Sequence, residues 1–285
     1  MSFIDFILNL AGLLLWFNWR SMRFDPLASR RPATLIGTLR PAGAAGRRRW
    51  IIFLSLPTLL VLRAALYWLI GAPAEWVPKL DLGAVVLAFR VDRMDYALIF
   101  SLVSFLRVMG IAYVWLVALA LLNRGVEDPD PVLRLIRLQA GRISRAPLAL
   151  QVLAPILAIL VCWATLHPLM ACSGVLGPAR SAGQVLGQGL LAAAGVVFSL
   201  KLLLPLILLL HMLSTYVYLG ASPLWEFVSE TARGILAPMP VKSLRSSKLD
   251  FAPLAGIVLI ILLLHTVPTL AMRFASSQGV TVWPE

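Results

Sequence analysis

The chain has 285 residues and only two cysteines, Cys162 and Cys172, too few for a disulfide framework or a thiolate cage. On one continuous helix they lie about 15 Å apart along the axis, beyond the reach of a disulfide. Charge is scarce too: 13% of residues are Asp, Glu, Lys or Arg, against 60% hydrophobic. A soluble domain carries about twice that charge. Acid is scarcest, with 13 Asp and Glu facing 25 Lys and Arg, and Asp5 is the one carboxylate inside a long apolar run. Proton-coupled carriers use an acid in mid-membrane, so this shortage weakens a secondary-transporter reading. The sequence also lacks a phosphate-cradling glycine loop, a His-Glu-x-x-His zinc motif and a Gly-x-Ser-x-Gly elbow. Those absences remove the usual marks of nucleotide, zinc-hydrolase and serine-hydrolase chemistry. The expectation is a protein that is not an enzyme and holds no metal and no cofactor.

What is abundant is apolar sequence. Mean hydropathy is +0.88, outside the globular range, and predicts an integral membrane protein. Runs long enough to cross about 30 Å of hydrocarbon occur near 3–19, 50–71, 96–122, 147–170, 188–219 and 253–272. The net charge of +12 would suggest nucleic acid in a soluble protein. Here the cations lie in short loops between apolar runs, where anionic lipid is the nearer partner, so no nucleic acid is expected.

Six spans put both termini on one side, and the Lys/Arg asymmetry says which. Segments 20–49, 123–146 and 220–252 carry eight, five and four Lys/Arg, while 72–95, 171–187 and the tail carry five between them. The large loops are therefore expected in the cytoplasm and both ends outside, in a cytoplasmic (inner) membrane. The run Phe3 to Trp19 has no basic residue before it and Arg20 and Arg23 just after it. That flank predicts a retained first helix rather than a cleaved signal.

A repeating unit organises these spans: an apolar helix, a basic loop with a Pro-led amphipathic stretch, and a second helix entered through proline. The proline entry of the second unit runs from Pro155 to His167 and that of the third from Pro253 to His265, each placing histidine twelve residues after proline. The first keeps Pro57 but has no histidine. The expected fold is thus all-α, a polytopic membrane protein of about six transmembrane helices in three helical hairpins, divided at 1–95, 96–187 and 188–285. Pro131 and Pro223 each follow a capping-type residue, Asp130 and Ser222, and open amphipathic helices. In the second, Leu224, Phe227, Val228, Thr231 and Ile235 share one face, which predicts a helix lying along the membrane surface. The segment 72–95 holds an apolar core, Leu82 to Phe89, too short to span and expected at the interface or against the bundle.

The third unit carries Ser222-Pro223-Leu224-Trp225-Glu226-Phe227, then Thr231, Ile235-Leu236-Ala237-Pro238-Met239-Pro240, and Leu249-Asp250-Phe251-Ala252-Pro253 opening a span. This series resembles the YggT family of bacterial and plastid membrane proteins over about 200–273. That family has a Thr-Glu-Pro-like amphipathic helix and an Asp-x-Ser-Pro signature beginning the next helix. Asp250 and Pro253 match the signature, Ala252 replaces its serine, and Ala232-Arg233 stands in place of Glu-Pro. Over 107–170 the likeness is weaker: Asp128-Pro129-Asp130-Pro131 matches an Asp-Pro loop, but Val152 stands where Asp250 would correspond. The resemblance implies a non-catalytic membrane scaffold or assembly factor.

On that reading Trp225 and Phe227 anchor the surface helix that opens at Pro223, Arg47, Arg48 and Arg49 hold anionic lipid, and Asp250 caps the helix entered at Pro253. The partners are the bilayer and other membrane proteins, with an oligomer left open. Two alternatives stand beside it. Arg63, Arg107 and Lys201 lie within spans, about 20, 22 and 27 Å above the cytoplasmic border by helix rise, and could line an ion channel or small-solute permease. From there each could equally snorkel to the outer headgroups, with Asp92 and Asp95 within reach of Arg107. His167, His211 and His265 are the only histidines, all in spans, and a facing pair could bind haem. Both repeat histidines also sit near the external helix ends, where an imidazole meets water.

Overall fold

The computed structural model describes residues 2–23, 43–71, 73, 76–81, 86–126, 131–179, 181–217, 220, 222–237 and 251–277. In chain order the elements are α1 (Ser2–Arg23), α2 (Gly43–Gly71), β1 (Lys79–Asp81), β2 (Val86–Ala88), α3 (Met94–Leu122), α4 (Pro131–Ala140), a 3-10 turn (Gly141–Arg145), α5 (Leu148–Cys172), α6 (Ala182–Phe198), α7 (Leu200–Tyr216), α8 (Pro223–Leu236) and α9 (Ala252–Ser277). Among the described residues four stretches are long and apolar enough to cross a bilayer: Trp50–Gly71, Met94–Leu122, Leu148–Cys172 and Ala182–Tyr216. The chain divides into two compact units, residues 1–80 with 86–109, and residues 81–85 with 110–285. The division falls inside α3.

In the first unit α1 and α2 run antiparallel, as the pairings of Asp5 with Tyr67, Asn9 with Arg63 and Trp19 with Phe53 require. Pro57 sits within α2 and offers no N–H to the ladder. Hydroxyls on either side of it, Ser55 donating to the Ile52 carbonyl and Thr58 to the Leu54 carbonyl, bind backbone oxygens locally. Among the described residues between α2 and α3 there is no helix. They include a two-stranded sheet, β1 with β2, a β element that an all-α expectation omits. Leu80, Leu87 and Phe89 are buried, the last two alternating along the second arm as a pleat demands. Phe89, Tyr67 and Trp76 surround Phe100 at ring separations of 5.4–5.9 Å, so the segment closes one end of the unit with aromatic packing.

In the second unit α5 and α6 pack closely because Gly189 leaves room: a Cβ there would lie 2.9 Å from Leu160 Cδ2. The run expected over 188–219 begins earlier, at Ala182, and breaks at Ser199 between α6 and α7. Pro205 explains the break. It lacks the N–H that would bond the Lys201 carbonyl, and its ring crowds that carbonyl, so the preceding turn tightens. The N–H of Ser199 bonds Val196 O and that of Leu202 bonds Ser199 O, a three-residue spacing. Trp115 of α3 donates to the Ser199 hydroxyl (2.9 Å), which fixes the bend. The core of this unit joins Ala120, Leu133, Ile136, Leu203, Ile207, Leu208, Phe227, Val228, Ala232, Ile235 and Ile260.

Candidate functional site

The first unit buries a cation. Arg63 on α2 is 1% exposed, a setting that costs several kcal/mol for a lone charge. It is not alone. Arg63 Nη2 donates to Asp5 Oδ1 (2.7 Å), Nη1 to Asn9 Oδ1 (2.7 Å) and Nε to the Tyr67 hydroxyl (2.6 Å). Tyr67 donates in turn to Asp5 Oδ1 (2.6 Å), and Asn9 Nδ2 bonds Asp5 Oδ2 and Ser104 Oγ, each at 3.2 Å. Helical spacing builds this network: Asp5 and Asn9 share one face of α1, Arg63 and Tyr67 one face of α2. The result is a charge-neutral knot whose members face one another. Asp5 keeps a side chain that is 24% exposed.

Arg107 is half-buried on α3 in the same unit, and Asp95, expected within its reach, is held by Arg93 at 2.7 and 3.1 Å. Lys201, in the second unit, is exposed at the start of α7. The guanidinium of Arg63 points into the protein at Asp5 rather than outward to headgroups.

A second polar cluster lies at the C-terminal end of α3. Arg137 of α4 donates to the carbonyls of Asn123 (2.7 Å) and Val126 (3.1 Å), placing positive charge where helix carbonyls run out of partners. Asn123 Nδ2 donates to Leu119 O and to Thr231 Oγ1, both at 2.9 Å, and Thr231 donates to Phe227 O (2.7 Å). Gly234 makes the approach possible, since a Cβ there would stand 2.9 Å from the Leu122 carbonyl oxygen. The apolar face of α8 is thus buried on α3, α4 and α7.

Phe227 lies in that protein core, and Trp225 is half-buried. Pro223 is exposed at the first helical position, and the Ser222 side chain accepts from Leu224 N, as its capping pattern predicts. Pro253 is buried in the first turn of α9. Asp250 lies outside the described residues. Arg47, Arg48 and Arg49 fall in the first turns of α2, with side chains outside the described set.

No family model, curated protein or solved structure matches this chain. The site therefore stands on its geometry.

The histidines occupy three different settings. His167 is buried on α5 with its ring edge-on to Trp163 at 6.4 Å, and its Nε2 has no hydrogen-bond partner. His211 is half-buried on α7, and His265 is exposed on α9. Among the described residues no group of three His, Cys, Asp or Glu side chains is placed to hold a metal ion. Cys162 and Cys172 are both free thiols on α5.

Sequence reasoning noted Arg63 and Asp5 separately and missed their union, together with Asn9, Tyr67, Asn123, Arg137 and Gly234. The signal was present as two polar pairs at four-residue spacing in otherwise apolar helices, which puts both members of each pair on one stripe.

Proposed function

We propose that this chain is a non-catalytic multi-pass scaffold or assembly factor of the YggT type, residing in a cytoplasmic membrane. In this reading six helices cross the bilayer as three hairpins, both termini are external, and the basic loops with α4 and α8 face the cytoplasm. The observation that carries it is the closed knot around Arg63. A permeation pathway needs cations open to a passing solute, whereas this guanidinium is satisfied by Asp5, Asn9 and Tyr67. Polar side chains within apolar helices here join helix to helix, which is the chemistry of a rigid framework. What α8 leaves uncovered suits protein contact: Glu226 and Arg233 are exposed on the face opposite its buried stripe, and Pro223 and Leu224 are exposed in its first turn.

The test is a photo-crosslinking residue at Leu224 or Glu226 in native membranes. A discrete protein adduct, lost when the probe is moved to buried Val228, is the expected outcome; a purely lipid adduct at both exposed positions sinks the scaffold reading. Two rival outcomes are equally plain. Flux across vesicles that stops with Arg107→Gln would install a permease, and a Soret band in purified protein would install a haem carrier.

A further inference from the structure

The second unit holds two helix groups. In one, α6 packs on α5; in the other, α7 packs on α8 and α9, and α4 packs on α8. The connection 173–181 folds α5 and α6 into an antiparallel hairpin, and Gly189 sets its register, since a Cβ there would touch Leu160 and Trp163. Ser199, ten residues on, therefore stands level with the first turn of α5, near Gln151.

The chain passes between the two groups at that level both times it crosses, and neither passage is α-helical. The first is the 3-10 turn Gly141–Arg145, opened by Gly141 at φ 71° and followed by Ala146 in extended conformation. Gln151 Nε2 donates to Ser144 O (2.9 Å), tying the first turn of α5 to it. The second passage is the break at Ser199, where ladder bonds tighten to three-residue spacing and Pro205 leaves the Lys201 carbonyl without its usual donor. Such 3-10 stretches inside a long helix often mark hinges.

The seams around these passages differ in tightness. Within the α5–α6 pair a Cβ at Gly189 would lie 2.9 Å from Leu160, and where α8 meets α3 a Cβ at Gly234 would lie 2.9 Å from the Leu122 carbonyl oxygen. Where α6 runs past α3, a Cβ at Gly110 would meet Val196 no nearer than 3.8 Å. That seam has room for a methyl group, so it interlocks less than the other two. A hydrogen bond holds it: Trp115 Nε1 donates to Ser199 Oγ (2.9 Å), and the same hydroxyl donates to Val196 O (2.5 Å). The indole thus grips the residue that makes the tight turn.

We propose that α5 and α6 form a rigid arm hinged on these two passages, with the Trp115–Ser199 hydrogen bond pinning the arm against α3. When the indole lets go, the Ser199 N–H returns to the four-residue spacing of an ordinary helix, and α6 turns relative to α7. Each group keeps its own packing during that turn, because the tight seams lie within the groups and the loose one between α6 and α3. Loss of one neutral hydrogen bond shifts the ratio of pinned to released arms by about two- to thirteenfold. The device belongs to the second unit by itself and does not rest on the scaffold reading.

The experiment places pairs of spin labels on the full chain in lipid nanodiscs, in a C162S/C172S background, and reads distance distributions by double electron–electron resonance. Leu186 of α6 and Val258 of α9, both exposed, report the arm against the other group; Leu153 and Leu186, also exposed, report the arm internally. Trp115→Phe keeps the ring and removes the N–H, and Ser199→Ala removes its acceptor. Each should move two- to thirteenfold more of the Leu186–Val258 distribution into a second distance, the double variant should add nothing further, and the Leu153–Leu186 distribution should stay as in wild type.

A Leu186–Val258 distribution unmoved by both single variants overturns the hinge. Broadening of the Leu153–Leu186 pair to the same degree also overturns it, since the arm would then be loosening throughout rather than turning as a body. Crosslinking at α8 reads neither pair, so the outcome of this experiment and that of the scaffold test are separable.

Discussion

At the scale of single residues the Arg63 knot sets the largest stakes. Removing one member of a buried ion pair leaves the other charge uncompensated and costs about 3–5 kcal/mol, whereas removing both is far milder. Arg63→Met should therefore lower the thermal unfolding midpoint in detergent sharply, and D5N/R63M should recover most of the loss. A double variant no better than the single would show that the guanidinium's packing, not its charge, matters. Arg63 was legible in the sequence as a cation inside a span, and Asp5 as the one acid inside another. Their pairing was not, because it joins positions 58 residues apart, and nothing local distinguishes a snorkelling arginine from a paired one. The same holds at Asn123 and Thr231, separated by 108 residues and joined by a buried hydrogen bond.

At the scale of elements the amphipathic helices carry the lesson. Pro131 and Pro223 marked their starts correctly, and Ser222 caps as its type requires. A helical wheel reveals that α8 has an apolar stripe but not what covers it. Lipid and protein make the same demand on that stripe, and the structure answers with protein, in the form of Leu133, Ile136, Leu203 and Ile207. The decisive contact is Gly234, where the obstacle to a side chain is the Leu122 carbonyl, which is backbone and cannot swing away. Gly234→Ala should therefore displace α8 at a cost of about 1–3 kcal/mol, the range for overpacking a tight contact. Limited proteolysis checks it: the 217–222 connection should be cut faster than in wild type, and an unchanged rate would mean that α8 tolerates the shift. The break at Ser199 was readable from Pro205 in hindsight, since proline in a helix disturbs the turn before it. The sheet at 79–88 was not, because four to eight apolar residues fit a strand or a short helix equally well.

At the scale of the whole molecule, composition and run length forecast a helical protein with bilayer-crossing helices, and among the described residues four of the expected runs meet that length and hydropathy. Orientation is a matter of where the cations lie. Single cysteines placed in 20–49 and in 123–146, in a background free of Cys162 and Cys172, should react with a membrane-impermeant thiol reagent from the same side, and a cysteine at Lys79 from the other. Labelling of the two loops from opposite faces would dismantle the hairpin arrangement.

The Arg63 knot also has a history in time, because a ribosome delivers its parts separately. Asp5 emerges 58 residues before Arg63, an interval of about 3–12 s at ordinary synthesis rates. On the six-helix proposal, the first helix holds a carboxylate with no guanidinium to meet it throughout that interval, so α1 would enter lipid without a net charge only once α2 arrives, and insertion would begin with a pair of helices rather than with one.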